Sequence, residues 1–261
     1  MNRGTVLSPF VFLLSLRGQD AALEHARAVN LERAANLPNF VADETSVRYK
    51  SPHIDPPQWQ LVDTIESEIA VQGGAGFTRQ HVRVNGQPWN KPELPGGFRW
   101  SVQFGAELKQ LFGPGCPTRI EFEGREEVFG KSVLAYRYSS PPNGCFGFFE
   151  IKNGLFSFTK RYNPARKGRF LINEADGSVI RFEGEADEFP KGFGADPWTT
   201  TVSWDYVKTG DGTHLLPVAM DIFGGFVKAD LWHVTVEYKN HRHFQASTHV
   251  TFRAEKENAP K

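Results

Sequence analysis

With 261 residues, in which 30 Lys and Arg balance 30 Asp and Glu, this chain carries no net charge and is long enough for one large β domain or two small ones. A nucleic-acid-binding protein needs a basic surface that releases phosphate counterions, and because the sequence has no long basic run we exclude nucleic acid as a partner. The 22 Phe and 6 Trp against 2 Met favour a β-rich core, and 25 Gly and 17 Pro favour many short strands joined by turns.

The first 20 residues have the pattern of a secretory signal peptide. Arg3 precedes an apolar stretch from Val6 to Leu16, and small residues follow it. At about 11 residues this stretch is too short to span a bilayer, which takes about 20. We therefore predict that residues 1–20 are removed and that the mature chain begins near residues 18 to 22 without a transmembrane span. The predicted location is outside the cytoplasm, in the periplasm.

The first element predicted after the signal peptide is an amphipathic helix. Asp20 is a candidate N-cap, and Pro38 ends the helical pattern. One helical face carries four apolar residues and is interrupted by two polar ones: Leu23, Ala26, Leu31 and Ala34, with Arg27 and Asn30. This pattern predicts a helix that packs one side against the rest of the protein.

Strict alternation of apolar and polar residues predicts a strand between Trp59 and Val71. The apolar residues occupy odd positions: Trp59, Leu61, Ile65, Ile69 and Val71. Such a strand buries one face and leaves the other in solvent. Further on, Asn85-Gly86 is a strong hairpin signal, because both residues readily adopt a positive φ.

A second helix is predicted from Trp100 to Phe112. Ser101 is its candidate cap, and Gly113-Pro114 would end it. Four residues, spaced by four, line one side of the helix: Trp100, Phe104, Leu108 and Phe112. Two interpretations stay open. The four residues line an apolar ligand cavity, or they are packed core residues.

Beyond the second helix, the sequence predicts mainly strands joined by Gly-containing turns. No Pro- or Ser-rich linker divides the chain, so we predict one domain over residues 21–254 and a disordered tail over residues 255–261. The predicted fold class is α+β. It has a single curved antiparallel sheet, a half-barrel of about ten strands, with an N-terminal helix and a second helix covering its concave side.

The chain has two cysteines, Cys116 and Cys145, and each precedes a predicted strand. A single pair of cysteines in an exported chain favours a structural disulfide. The alternative is a pair of buried free thiols.

Three histidines, His241, His243 and His249, fall within nine positions near the C-terminus. We predict a hairpin around residues 240–242, which would place His233 opposite His249 on the outer face of the sheet. Along one strand His243 and His249 would lie about 20 Å apart, at about 3.3 Å per residue, and could not share an ion. We therefore predict solvent-facing histidines and no metal site.

Catalytic motifs are missing from the sequence. It contains no G-x-S-x-G, C-x-x-C, H-E-x-x-H or Walker motif. Glu121 and Glu123 alternate with Ile120 and Phe122, which indicates a solvated strand face more than an acid–base pair. We predict no catalytic residue and no cofactor, and we rank an enzyme third among the classes of function.

Several stretches, and their order, resemble a known group of proteins. They are LPNFVADETSVRY at residues 37–49, FRWSVQFGAELKQLF at 98–112, GTHLLPVAMDI at 212–222 and VTVEYKNHRHFQASTHVTF at 234–252. After about residue 20 the chain resembles uncharacterised exported bacterial proteins. More remotely, it is similar to the periplasmic lipoprotein-carrier superfamily, the outer-membrane lipoprotein-sorting proteins. This resemblance implies a half-barrel whose open side is covered by helices, leaving an apolar cavity. Relatives hold acyl chains in that cavity, or sense signals in the cell envelope. It assigns no functional residue.

Two functions follow as hypotheses. The first is a non-enzymatic periplasmic binding or carrier protein for an apolar ligand, a lipid or the acyl chain of a lipoprotein. The second is a cell-envelope scaffold or protein-interaction module with a fully packed core. An apolar cavity of several hundred cubic ångströms would favour the first hypothesis. A filled core with an exposed apolar patch would favour the second.

Overall fold

The structure, a computed structural model, describes residues 10–53, 55–72, 76–96, 105–128, 130–147, 149–153, 158–190, 195–210, 212–226 and 230–244. Its helices are α1 (Phe10–Ala35) and α2 (Ala106–Phe112). Its strands are β1 (Phe40–Ser51), β2 (Gln60–Gln72), β3 (Gly76–Val84), β4 (Gln87–Pro88), β5 (Arg119–Val128), β6 (Lys131–Ser140), β7 (Phe149–Asn153), β8 (Phe158–Tyr162), β9 (Ala165–Asn173), β10 (Val179–Asp187), β11 (Ala195–Thr209), β12 (Gly212–Phe226) and β13 (Leu231–His243).

In the described part of the chain, eleven strands form one open antiparallel sheet. Their order is β4-β3-β2-β1-β13-β12-β11-β10-β9-β6-β5, and β7 and β8 form a separate hairpin. Both helices pack on one side of the sheet, called the inner face below: Asn30 of α1 contacts Val179 of β10, and Phe112 of α2 contacts Phe170 of β9. The predicted fold class, a curved antiparallel sheet with two helices on one side, is confirmed.

Alternating burial shows which residues of the first two strands face inward. On β1 these are Phe40, Ala42, Glu44, Ser46 and Arg48, and on β2 they are Asp63, Ile65, Ser67, Ile69 and Val71. The predicted odd-numbered buried face of β2 is therefore confirmed from Asp63 onward. Trp59 and Leu61 instead remain 37% and 61% exposed. The pairing of β1 with β2 slips by one residue between Arg48 and Tyr49, which turns Leu61 to the outer face.

Helix α1 packs against the sheet through Asn30, one of the two polar residues that interrupt its predicted apolar face. The Asn30 side chain is fully buried, its Nδ2 donates to the Gly177 carbonyl at 2.9 Å, and its Oδ1 accepts from the Val179 N–H at 2.9 Å. One amide thus satisfies a backbone donor and a backbone acceptor at the start of β10. Phe10 is already part of this helix, so the prediction that Asp20 caps its start was wrong.

Helix α2 is shorter at its start than predicted. It begins after Gly105, which has a φ of 88°, a left-handed conformation that glycine adopts without strain. Its end before Gly113 agrees with the prediction. Trp100, Ser101 and Phe104, the first residues of the predicted helix, lie outside the described residues.

The predicted hairpin at residues 240–242 is wrong. Strand β13 continues through these residues to His243 and pairs with β1 as far as Phe40. Asn240 does have a left-handed φ of 53°, but it lies in a β-bulge where the register slips between Val41 and Asp43. His241, expected in an exposed turn, is 9% exposed and hydrogen bonds to the Pro217 carbonyl at 2.9 Å.

The predicted disulfide is confirmed. Cys116 and Cys145 are bonded, with their Cα atoms 5.4 Å apart and a sequence separation of 29. The bond joins the segment that follows α2 to the segment that precedes β7. Two pieces of chain that cover the inner face are thereby held together.

Candidate functional site

Aromatic side chains cover the inner face of β6, β9 and β10. The rings of Tyr136 and Phe170 are stacked with centroids 5.4 Å apart. Tyr138 stacks on Phe182 at 5.3 Å and on Phe146 at 5.5 Å. We call these five residues the aromatic wall. The five side chains are 0–6% exposed, and α2 packs on them through the edge-on contact of Phe112 with Phe170.

A pair of glycines lets Tyr138 lie flat on the sheet. Gly168 on β9 is opposite Gly184 on β10 and also opposite Tyr138 on β6. A Cβ atom at Gly184 would lie 2.9 Å from the Tyr138 hydroxyl oxygen, and one at Gly168 would lie 2.9 Å from its ring. At Gly168 a Cβ would also lie 1.9 Å from the Glu183 carbonyl oxygen of β10. Glycine is therefore needed at position 168 for the strand pairing as well as for the ring, and at position 184 for the ring.

A cavity of about 500 Å³ lies between α1 and the strands β5, β6 and β9. Its lining is mainly apolar and includes Ala22, Phe122, Leu134 and Ile172. At its polar end Arg125 and Glu174 form an ion pair, with Nε and Oε2 2.9 Å apart. This space, called the α1 groove below, has the volume typical of small-molecule sites, about 300–1,000 Å³.

The described part of the predicted α2 stripe packs against the core. Leu108 and Phe112 are 1% and 0% exposed, and Leu111 beside them is 1% exposed. The Phe112 ring meets Phe170 edge-on, with centroids 5.5 Å apart. In this half of the stripe the side chains are packed in the core instead of lining a cavity. Trp100 and Phe104, the other half, are outside the described residues.

Glu107, in the first turn of α2, is a polar group that sequence analysis missed. Burial raises the pKa of its carboxyl from the ordinary 4.5 to about 7. The carboxyl interacts electrostatically with Tyr138 on β6 and Tyr238 on β13. These strands lie far apart in the order β13-β12-β11-β10-β9-β6, so Glu107 sits inside the curve of the sheet, between its two arms.

We expect Glu107 to make stability depend on pH. Its folded-state pKa is raised, so the protonated carboxyl stabilises the fold fully below pH 4.5, and this contribution is lost as the pH rises through about 7. Relative to Glu107→Gln, the wild type should lose up to about 2.5 kcal/mol between pH 5 and pH 8, since one pKa unit corresponds to about 1.4 kcal/mol. Urea denaturation of both proteins at several pH values measures this difference. Parallel pH profiles would contradict it.

Charged pairs, instead of rings, occupy the inner face of β1, β2 and β3. The buried Arg48 bonds Asp63 with both nitrogen–oxygen contacts, at 2.7 and 2.5 Å. Arg79 likewise bonds the fully buried Glu44 at 2.8 and 3.1 Å. The alternation in the sequence contained this signal, because Glu44 and Arg48 are in phase with the apolar Phe40.

The histidines do not form a metal site in the part of the chain that is described. His233 pairs with Asp221 at 2.8 Å, and His214 stacks on His243 with ring centroids 6.4 Å apart. Across the described ranges, no three His, Cys, Asp or Glu side chains come together as ligands. His249, predicted to face His233, is outside these ranges.

The outer face carries an exposed aromatic patch. Tyr49, His233 and Phe223 are successive partners across β1, β13 and β12, and Leu61 on β2 is opposite Tyr49. Trp59 lies over this row, with its ring 5.7 Å from His233. We call these five residues the outer patch. Leu61, at 61%, is the most exposed large apolar side chain of the described residues.

The fold is similar to solved structures, but only remotely. The chain matches a putative outer membrane lipoprotein-sorting protein domain from Vibrio parahaemolyticus at 10% identity and a TM-score of 0.42, over 88% of this chain and 94% of that one. A DUF1329 family protein from Desulfovibrio piger matches at 8%, with the same TM-score and coverages. A LolA superfamily protein from Nitrosomonas europaea matches at 9% and 0.33, over 87% and 94%.

The remote resemblance to lipoprotein-sorting proteins noted from the sequence is thus also found by comparing structures. No protein-family model matches the chain, and no curated protein matches it by sequence. At these TM-scores the neighbours assign no ligand and no site. Among the described helices, none is both long and apolar enough to cross a bilayer.

Proposed function

We propose that this protein binds an apolar, acyl-chain-like ligand without chemically changing it, and that the α1 groove is the place where it binds. The observation that supports this most is the groove itself. It has a volume of about 500 Å³ and a mainly apolar lining. Each buried methylene group of a ligand contributes about 0.8 kcal/mol, so a chain of several methylenes gains useful affinity from such a lining.

The groove lies between residues of the sheet and residues of α1. Phe122, Leu134 and Ile172 lie on paired strands of the sheet. Ala22 belongs to α1, which is attached to the sheet through Asn30. A small residue at position 22 leaves room that a larger one would fill. The proposal also places the mature protein, residues 21–254 with the tail 255–261, in the periplasm after removal of residues 1–20. That removal takes Gln19 out of the groove lining and leaves Ala22 in the first turn of the shortened α1.

A filled groove should bind less ligand. Ala22→Trp is expected to weaken binding of a fluorescent fatty acid at least about tenfold, because displacing about two methylenes from the lining costs about 1.6 kcal/mol. Fluorescence titration of the purified protein measures the change. Both proteins must first show the same cooperative melting.

Ala28→Trp is the matched control, since Ala28 lies on the same helix, is exposed and is not part of the groove lining. It should bind the probe like the wild type. If Ala22→Trp binds the probe as tightly as the wild type does, the groove is not the ligand site. If the wild type binds no probe, the carrier function itself is wrong.

The outer patch favours a second candidate function, a partner-binding scaffold. Aromatic residues with a polar tip, such as Tyr49, Trp59 and His233, are enriched where proteins bind one another. The exposed Leu61 extends this patch. A wild type that binds no fluorescent fatty acid, together with a fully packed inner face, would leave this function as the better explanation.

A further inference from the structure

We propose that Glu107 on α2 and Tyr138 on β6 form a binding site for an uncharged carbonyl oxygen, that of an ester or an amide, inside the curve of the sheet. The site is separate from the α1 groove and does not depend on the function proposed for that groove. It rests on two inward-facing polar groups that lie beside each other. Among the described residues, neither the Tyr138 hydroxyl nor the Glu107 carboxyl has a hydrogen-bond partner on another residue.

Tyr138 is held in place by rings on both sides. Its side chain is 1% exposed, and it stacks on Phe146 and on Phe182. Its hydroxyl oxygen lies over Gly184 of β10, where an added Cβ would be only 2.9 Å away. A buried hydroxyl without a partner is costly, and a ligand oxygen that accepts its hydrogen bond removes that cost.

Helix α2 carries Glu107 on the side that packs on the sheet. Glu107 and Leu111 are four residues apart and share one side of the helix, and Leu111 is 1% exposed. The Phe112 ring meets Phe170 at 5.5 Å, and the Phe170 ring lies 6.4 Å from that of Tyr138. The Glu107 carboxyl is thereby brought beside the Tyr138 hydroxyl, with which it interacts electrostatically.

The two side chains border a space within the concave sheet, called the α2 recess below. Glu107 interacts with Tyr138 on β6 and with Tyr238 on β13. These strands are five positions apart in the sheet, about 24 Å at about 4.8 Å per strand, so the sheet curls around the carboxyl. Glu107 nevertheless remains partly exposed, whereas Leu108 beside it is 1% exposed. A side chain that is deep in the curve and still accessible lines a space that a ligand can enter.

The charges around the α2 recess favour an uncharged ligand. Burial raises the pKa of Glu107 to about 7, and no neighbouring cation among the described residues lowers it. Surroundings that keep a carboxyl neutral also disfavour a bound carboxylate or phosphate. The Arg166 guanidinium lies over the Phe149 ring, 4.6 Å from its centre, and interacts electrostatically with the Tyr138 hydroxyl. This positive charge disfavours a bound ammonium group.

The two donors fit a carbonyl oxygen. A tyrosine hydroxyl and a protonated carboxyl each donate one hydrogen bond, and a carbonyl oxygen accepts two. A carboxylic acid kept neutral by apolar surroundings is known to donate in this way beside a tyrosine. The rings of Phe146 and Phe182, on either side of Tyr138, offer apolar surface to the rest of the ligand. An apolar molecule with one ester or amide carbonyl therefore satisfies both donors at once.

Tyr138→Phe tests the site without disturbing the fold. The change removes a hydroxyl that has no partner among the described residues, so the variant should melt no lower than the wild type. At pH 5 its binding of methyl octanoate and of N-methyloctanamide, measured by isothermal titration calorimetry, should be about tenfold weaker, the loss expected for one hydrogen bond. Both proteins carry Ala22→Trp in this comparison, so that the α1 groove is filled.

The pH dependence provides a second measurement. Glu107 donates only when it is protonated, so the affinity for methyl octanoate should fall about tenfold between pH 5 and pH 8, one unit above its pKa of about 7. Burial raises the pKa of Tyr138 and of Tyr238 above 10, so both keep their protons over this range. Beyond Tyr238 lies Glu44, which is bonded to Arg79. Glu107→Gln keeps a donor that does not titrate, and it should bind the ester equally at both pH values.

Tyr136→Phe is the matched control. Tyr136 lies two residues away on the same strand and face, and its hydroxyl donates to the Gln19 carbonyl of α1 at 3.3 Å, away from Glu107. This variant should bind both probes as the wild type does. Tyr138 does not line the α1 groove, so the comparison leaves the function proposed for that groove untouched.

The two probes also identify the source of the carbonyl. Tighter binding of methyl octanoate indicates a lipid ester, and tighter binding of N-methyloctanamide indicates an amide. Both results support the site. It is overturned if neither probe binds, if octanoate binds as tightly as the ester at pH 7, or if octylamine binds more tightly at pH 8 than at pH 5. An unchanged affinity in Tyr138→Phe, or the wild-type pH dependence in Glu107→Gln, overturns it as well.

Discussion

Arg48→Ala is expected to lower the free energy of unfolding by about 3–5 kcal/mol. Arg48 is 1% exposed, and its guanidinium bonds Asp63, which is 6% exposed. Removing the arginine leaves a buried carboxylate without its counter-charge, which costs more than the pair itself contributes. Contacts to the Gly96 carbonyl at 3.3 Å and to the Trp232 ring at 5.7 Å are lost as well. Urea denaturation at pH 7 measures the change.

An exposed arginine pair provides the control for this prediction. Arg137 bonds Glu123 on the outer face, and its side chain is 67% exposed. Arg137→Ala should therefore cost less than about 1 kcal/mol. The double change Arg48→Met with Asp63→Leu, which replaces the buried pair by apolar groups, should recover most of the lost stability. A loss below 1 kcal/mol for Arg48→Ala would show that Asp63 is hydrated in solution.

Phe112→Ala is expected to cost about 3–5 kcal/mol of stability. The side chain is fully buried and meets Phe170 edge-on, and the guanidinium of Arg27 on α1 lies 5.8 Å from the centre of its ring. Truncation leaves a cavity where α2, α1 and the aromatic wall meet. Thermal and urea unfolding measure the loss. Leu61→Ala, at an exposed position, should change stability by less than about 0.5 kcal/mol.

The same variant decides between the two interpretations of the stripe at Trp100, Phe104, Leu108 and Phe112. If the stripe is core, Phe112→Ala loses stability while the folded protein binds the fluorescent fatty acid as before. A small loss of stability with clearly weaker probe binding would instead make the stripe part of the ligand site. It would then move the proposed site from the α1 groove to the space under α2.

Features that depend on a few neighbouring residues could be predicted from the sequence. Asn85 and Gly86 have φ angles of 50° and 76° and form the predicted hairpin turn. The inward phase of β2 from Ile65 to Val71 follows from its alternation. The disulfide followed from the number of cysteines and the predicted compartment. The turn and the strand alternation depend on neighbouring residues, and each cysteine has only one other cysteine with which it can pair.

The candidate site could be predicted only in part, because its members come from distant parts of the chain. Ala22, Leu134 and Ile172 are unremarkable in their own segments, and only the packing of α1 on the sheet makes them neighbours. Asn30 interrupts an apolar helical face, and only its contacts with Gly177 and Val179 show why a polar residue is needed there. A buried polar group is recognisable from its partner, and the partner is set by the tertiary structure.

The segment around Asn240 shows which structural features follow from the local sequence and which follow from the tertiary structure. The sequence by itself determined that Asn240 favours a left-handed backbone, and its φ is 53°. A left-handed residue can turn a hairpin or form a bulge, and the two have the same local signature. The tertiary structure decided for the bulge, because β1 pairs with β13 on both sides of it and Asp43 accepts a hydrogen bond from the Asn240 side chain at 2.7 Å. The bulge depends on pairing with a strand about 200 residues earlier, and a local sequence pattern does not indicate such a distant partner.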